Sequence, residues 1–370
     1  MKKLFVTGTP VTGKDLVGRK EEIREIKHLL QNGQGAVLIA PRRFGKTSVA
    51  LTALQELQKD GYLIADVDLF TITNKRRLAE SIVEKTLENK KVLGIIRKIK
   101  KSVSEAFKNV EIKQVIENYE FVLKFTESSI DTYEVLESSL DFPQKFAQKE
   151  GKPLCFFYDE FGDIAKFDGE DIIKLMRGKF QLHSNVCYLF AGSHESLMKE
   201  LFAKERSAFY KFCKIIYLGE IAFSDFTPYI RKKFKEEGLF IADNVIKKIL
   251  ERTKGHPYYT QLLCRSIHYL LKGEKTTIEN RDIEMGYEDA IASEKPYLEK
   301  LWEELKEALA QLEVLLRIAS GEKRLYSNKN KVNVARSINA LSTKGLIRKT
   351  GGRAYSITDP FFEEFLRRNR

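Results

Sequence analysis

The chemistry most readily named in this chain sits in Ala40-Pro41-Arg42-Arg43-Phe44-Gly45-Lys46-Thr47-Ser48. The apolar run Ala36-Val37-Leu38-Ile39 before it reads as a buried strand, and Val49-Ala50-Leu51-Thr52-Ala53-Leu54 after it reads as a helix. A strand, a tight loop ending in Gly-Lys-Thr and a helix together cradle nucleotide phosphates. Loop and first-turn N–H groups face the phosphates, Lys46 carries positive charge to the β- and γ-phosphates, and the Thr47 hydroxyl can ligate Mg²⁺. Ala40 stands where the usual pattern has its first glycine, which requires a negative φ there. A second Gly-Lys, in Thr12-Gly13-Lys14-Asp15, has no apolar strand ahead of it and no amphipathic helix directly behind it, and reads as a loop.

Two carboxylates close the apolar run Pro153-Leu154-Cys155-Phe156-Phe157-Tyr158-Asp159-Glu160. Ionised carboxylates are costly to bury, so they belong at the C-terminal tip of the strand, where nucleotide folds of this class bind ligand. Asp159 is the expected Mg²⁺ partner of Thr47, and Glu160 the expected general base for an attacking water. The run Val186–Ala191 ends in Gly192-Ser193-His194. Ser193, or else His194, could touch a γ-phosphate or the attacking water; equally, Ser193 could cap the helix that follows. Thr253-Lys254-Gly255-His256-Pro257-Tyr258 reads as a helix start, with Pro257 suited to the first turn.

These residues need a scaffold. Five strands are expected at Ala36–Ala40, Tyr62–Leu69, Leu154–Tyr158, Val186–Ala191 and Lys214–Leu218, most of them near-continuous apolar runs of the kind covered on both faces of a parallel sheet. Helical patterns alternate with them, so the spacing predicts a three-layer α/β domain over 1–223. It is preceded by a helix with Ile23, Ile26, Leu29 and Leu30 at helical spacing. A helical insertion is expected over about 75–150. Residues 224–300 show no convincing strand and read as a helical lid. In 301–370, helices are followed by two strands flanking Gly351-Gly352, the order of a winged helix-turn-helix.

The chain has 370 residues, enough for two to three domains, and carries a net charge of +12. Much of that charge is concentrated. Residues 322–370 carry a net +8 and residues 90–113 a net +6. A basic C-terminal unit suggests a polyanion partner such as duplex DNA, with Arg336, Lys344, Arg348, Lys349 and Arg353 as candidate contacts; a module that only packs against protein is the alternative. No apolar run approaches the ~18 residues of a membrane span. Four cysteines without C-x-x-C spacing read as buried reduced thiols, and the chain as cytoplasmic.

Taken together, the motifs resemble the archaeal-type STAND ATPases, a branch of the AAA+ and STAND P-loop nucleotidases. Pro10-Val11-Thr12-Gly13, Val17-Gly18-Arg19, the Pro41-Arg42-Arg43-x-Gly-Lys-Thr-Ser loop, Asp159-Glu160, Gly192-Ser193, Gly255-x-Pro257 and Asp359-Pro360-Phe361-Phe362 carry the resemblance. It implies a sheet order of 5-1-4-3-2, a helical lid, a C-terminal winged helix and an ATP/ADP switch with Mg²⁺. It also implies that Gly255 and Pro257 line the nucleotide and that Val17, Gly18 and Arg19 flank its base. Relatives carry Tyr-Gly-Arg before the fifth strand where this chain has Tyr210-Lys211-Phe212, which leaves Arg206 or Lys211 as substitute finger residues. The leading functional expectation is a slow or regulated ATP-hydrolysing switch, with a protein partner or nucleotide-dependent self-association. The alternative is a DNA-binding initiator-like or mobile-element ATPase.

Overall fold

Alternation along each strand builds two cores. Val37 and Ile39 point to one face of the first strand, while Ala36, Leu38 and Ala40 point to the other; Phe156 and Tyr158 oppose Cys155 and Phe157 in the same way. Both faces are therefore apolar and both are covered. The computed structural model describes residues 4–89, 132–271, 273, 276–322, 325, 331–352 and 354–369.

The strands β1 (Gly35–Ile39), β2 (Leu63–Asp68), β3 (Leu154–Asp159), β4 (Val186–Gly192) and β5 (Cys213–Tyr217) form one parallel sheet. Its order, β2-β3-β4-β1-β5, is the expected 5-1-4-3-2 read from the other edge. Every residue of β3 and β4 is buried. The helices α1 (Lys20–Gln31) and α2 (Lys46–Lys59) pack together on one face. The other face carries a cluster of aromatic rings. Tyr158 stacks with Phe190 at 5.8 Å and Phe161 meets Phe190 at 4.6 Å. Because Tyr158 and Phe161 are fully buried, the two residues between them, Asp159 and Glu160, are pinned at the strand tip.

Of the expected insertion, α3 (Lys75–Leu87) and α4 (Thr132–Glu150) pack on each other beside β2. Residues 90–131, including the basic zone 90–113, lie outside the described residues. α5 (Glu170–Phe180) precedes β4 in the chain, and α6 (Glu195–Phe202) follows it.

The remainder is helical: α7 (Phe223–Lys235), α8 (Asp243–Thr253), α9 (Pro257–Leu271) and α10 (Asn280–Lys306). The expectation of no strand there needs correction, since β6 (Phe240–Ile241) and β7 (Thr277–Ile278) form a short parallel pair. Two-residue strands leave no periodic signal in a sequence. α10 runs on to Lys306 and α11 (Leu309–Ala319) starts after a break at Glu307-Ala308. α12 (Lys331–Thr343), the hairpin β8 (Ile347–Gly351) and β9 (Ala354–Ile357), and α13 (Pro360–Arg368) complete the chain. One apolar cluster runs through the lid helices and this C-terminal unit and takes in Leu4, Phe5 and Val17 from the N-terminus. All four cysteines are buried free thiols. Among the described residues, no helix is long and apolar enough to cross a membrane.

Candidate functional site

The loop between β1 and α2 takes its shape from two left-handed residues, Arg43 (φ 69°) and Gly45 (φ 85°). Gly45 is the N-cap of α2 and offers no side-chain cap, so the first-turn amides of α2 are left for another acceptor. Ala40 does not have a positive φ, as its side chain requires. Lys46 is buried, and its Nζ donates to the carbonyls of Ala40 (3.1 Å) and Pro41 (3.2 Å) and lies 3.9 Å from Glu160 Oε1. Burial holds this ammonium below the ordinary lysine range, against the pull of Glu160 and Asp159.

Thr47 and Asp159 meet, the hydroxyl donating to Oδ2 at 2.6 Å. Burial raises the Asp159 pKa, and the Thr47 hydrogen bond only partly offsets it. Glu160 sits in the left-handed region (φ 47°), which turns its side chain out of the strand line. Its Oε2 accepts from both the Ser193 amide (2.9 Å) and the Ser193 hydroxyl (2.7 Å). Ser193 is therefore not a helix cap. The cap position of α6 is His194, which makes no side-chain cap bond but does line the cleft.

The cleft has a volume of about 560 Å³ and lies between the sheet tips and the lid. Val17, Arg19, Arg42, Arg43, Phe44, Gly45, Lys46, Thr47, Ser48, Asp159, Glu160 and Pro257 all line it, so the fold gathers most of the expected residues at one place. Others serve its frame. Gly18 (φ 62°) packs against Ile221 and Asp225. Gly255 (φ 70°) comes so near the chain that an added Cβ would lie 2.4 Å from the Ile221 carbonyl, and its own carbonyl accepts from the Ile221 amide at 3.0 Å. Only glycine fits this joint between sheet and lid. Arg19 is buried and donates to Glu22 and to the Gly219 and Phe44 carbonyls, bracing the loop between β1 and α2. Ser48 Oγ accepts the Val11 amide at 3.0 Å and so ties down the N-terminal segment.

Some expected residues lie elsewhere. Arg206 and Lys211 are exposed and do not line the cleft. Arg348 pairs with Glu220 and also donates to Ser356, and Lys344 donates to Gln311. Arg336 and Lys349 are exposed, Arg353 lies outside the described residues, and α12 packs against α6 of the α/β domain.

The sequence reading missed Asp68, Tyr258 and Gln261, all of which line the cleft. Asp68 ends β2 in register with Asp159 at the end of β3, and burial raises its pKa. Its signal is weaker than that of Asp159, because the apolar residues Leu69 and Phe70 follow it. Tyr258 and Gln261 follow Pro257 on α9 and carried no local signal. His256 reads in the sequence only as part of a helix start, yet it is buried against Phe44 of the β1–α2 loop (ring centroids 4.5 Å) and Tyr259 (4.7 Å). Burial, reinforced by Arg43 and Arg348, lowers its pKa to about 3.

Neither a protein-family model nor a curated protein matches the chain. Solved structures do match in fold. The Walker-type ATPase PABY2304 of Pyrococcus abyssi superposes with a TM-score of 0.71 at 16% identity, covering 99% of this chain and 100% of that one. The Aeropyrum pernix ORC2 protein, in ADPNP–ADP complexes, superposes with a TM-score of 0.58 at 12% identity over 95% of this chain and 94% of its own. The Aeropyrum pernix ORC1 protein in complex with DNA gives 0.51 at 14% over 96% and 94%. The fold is that of the AAA+ P-loop ATPases, sheet and helical lid included, extended by a C-terminal domain.

Proposed function

We propose that this protein binds ATP with Mg²⁺ in the cleft, hydrolyses it, and couples its nucleotide state to the lid and the C-terminal unit, which we read as a winged helix. The observation that carries this reading is the convergence of Lys46, Thr47, Asp159 and Glu160 on one wall of the cleft, with Ser193 bonded to Glu160 behind them. The first-turn amides of α2 and Lys46 would hold the phosphates, and Thr47 and Asp159 would hold the metal. A hydroxyl and a carboxylate 2.6 Å apart are hard oxygen donors, which fits an ion that keeps water and phosphate oxygens in its shell. When bound, Mg²⁺ supplies charge neutralisation at the phosphates. Glu160 would take the proton of the attacking water, with Ser193 fixing one carboxylate oxygen. Asp68 extends the acidic edge beside Asp159.

A second reading, duplex DNA as a ligand of the C-terminal unit, draws support from the exposed Arg336 and Lys349 and from the net +8 of residues 322–370. A nearby fold, the A. pernix ORC1 protein, was solved in complex with DNA. Against it, Arg348 is engaged by Glu220 and α12 packs on the α/β domain, so such a contact requires the unit to swing away. One experiment separates the readings: ATP turnover by the purified chain with and without duplex DNA at two salt concentrations. Salt-sensitive stimulation by DNA establishes the second. Turnover indifferent to DNA establishes a switch that answers to another signal, and no turnover in any condition overturns hydrolysis.

A further inference from the structure

The two adjacent arginines of the phosphate loop go different ways. Arg42 stays by the cleft, close enough for its charge to act on Lys46. Arg43 adopts a left-handed backbone (φ 69°), unusual for a side chain of its size, and sends its guanidinium across to the lid. There Nη1 donates to Glu294 Oε2 at 2.6 Å and lies 3.5 Å from the Tyr259 hydroxyl. The same guanidinium covers the ring of Tyr258 at 4.2 Å and faces that of Tyr297 at 5.2 Å. Glu294 is itself buried, and its other oxygen accepts the Tyr258 hydroxyl at 2.6 Å.

The network continues past the lid. The Tyr259 hydroxyl donates to Asp359 Oδ2, while Asp359 Oδ1 accepts the amides of Phe361 and Phe362, both at 2.9 Å, as the N-cap of α13. Phe361 stacks on Tyr259 at 4.3 Å. One tyrosine oxygen thus accepts from Arg43 and donates to Asp359, using both of its roles at once. An unbroken polar path joins the loop that cradles phosphates to the last helix of the chain through side chains that are mostly buried. Breaking such a network in one place strands the remaining groups without partners, so its members stand or fall together.

We propose that Arg43 is a positioning residue that couples the phosphate loop to the C-terminal unit through Glu294, Tyr259 and Asp359, and is not a ligand of the nucleotide. This rests on the reading of the cleft as a nucleotide site. Loop rearrangement around the phosphates and docking of α13 are then two ends of one equilibrium. Binding at one end changes the other by the same factor, typically 5–150-fold for coupled sites.

The test uses the full chain and four proteins: wild type, Arg43→Ala, Tyr259→Phe and the double variant. Tyr259→Phe removes one oxygen and keeps the ring stack, so it guards against a variant that simply misfolds. Each is measured for MgADP affinity and for hydrogen-exchange protection of the 360–368 amides with and without MgADP. Either single variant is expected to lower that protection about 10-fold or more, with the double variant no worse than the weaker single. MgADP is expected to change the protection in wild type but not in Arg43→Ala. Wild type that binds MgADP while Arg43→Ala keeps full protection and the same MgADP response overturns the coupling alone, as do single-variant effects that simply add. Wild type that fails to bind MgADP overturns the nucleotide reading, and the coupling with it.

Discussion

The two walls of the cleft are built on different principles. The α/β side carries Lys46 and Thr47 on the first turn of α2 and Asp159, Glu160 and Ser193 at or just past the ends of β3 and β4, strands whose every residue is buried. The lid wall, lined by Pro257, Tyr258 and Gln261, is backed by shared groups. His256 packs on Phe44, Tyr258 and Glu294 hold Arg43, and Tyr259 reaches Asp359. A group on the first wall can change without moving a domain. A group on the second cannot, because it is also part of a joint. The proposed chemistry sits on the side built around one sheet, and the proposed coupling where side chains from distant segments share atoms.

This contrast can be broken by substitution. On the α/β wall, Lys46→Ala removes the buried charge that the proposed function assigns to the phosphates and is expected to weaken MgATP binding by at least ~100-fold, the loss typical of a truncated buried ionic partner. Isothermal titration checks this, and the melting temperature should hold. Glu160→Gln is expected to keep MgATP affinity and cut turnover by about 10²–10⁴-fold, the usual contribution of a general base. Single-turnover assays decide it, and unchanged hydrolysis would remove Glu160 from the catalytic role.

On the lid wall the expected effect is one of stability. His256 is held neutral by burial, with a pKa of about 3 against 6.5 in an open chain. Between those values the unfolded chain binds a proton that the folded chain refuses, so stability is intact above pH 6.5 and falls as the pH drops below it. The slope approaches about 1.4 kcal/mol per pH unit near pH 5. Denaturant melts of wild type and His256→Gln at pH 7.5, 6 and 5 should show the variant with the shallower pH dependence. Parallel curves would mean that the ring is not shielded as its packing implies.

The chain carries a natural control on how context makes a site. Gly13-Lys14 and Gly45-Lys46 share a dipeptide, and both glycines have positive φ (63° and 85°). The first lies in a short 3₁₀ turn, Gly13–Asp15, with no strand ahead of it; the second caps a 14-residue helix after a buried strand. The sequence distinguished them because apolar runs mark strands and helices locally.

The same local signals determined the five strands to within about a residue, the order of the elements and the α/β wall, because apolar runs, loop glycines and terminal carboxylates act on their own neighbours. The sheet order came from resemblance, and the observed pairing of the strands bears it out. What the sequence could not decide was where long side chains end up. Ser193 was balanced between a helix cap and the reaction centre, and only the approach of β3 to β4 gave its hydroxyl to Glu160. Arg43 read as part of the nucleotide-cradling loop, and Arg348 as a candidate DNA contact. Their partners Glu294 and Glu220 lie 251 and 128 positions away in the chain, and only the closing of the lid and the C-terminal unit onto the sheet brings them within reach. Pairings of that kind depend on the tertiary structure, since no periodicity or spacing relates two residues whose only link is the packing of the domains that carry them.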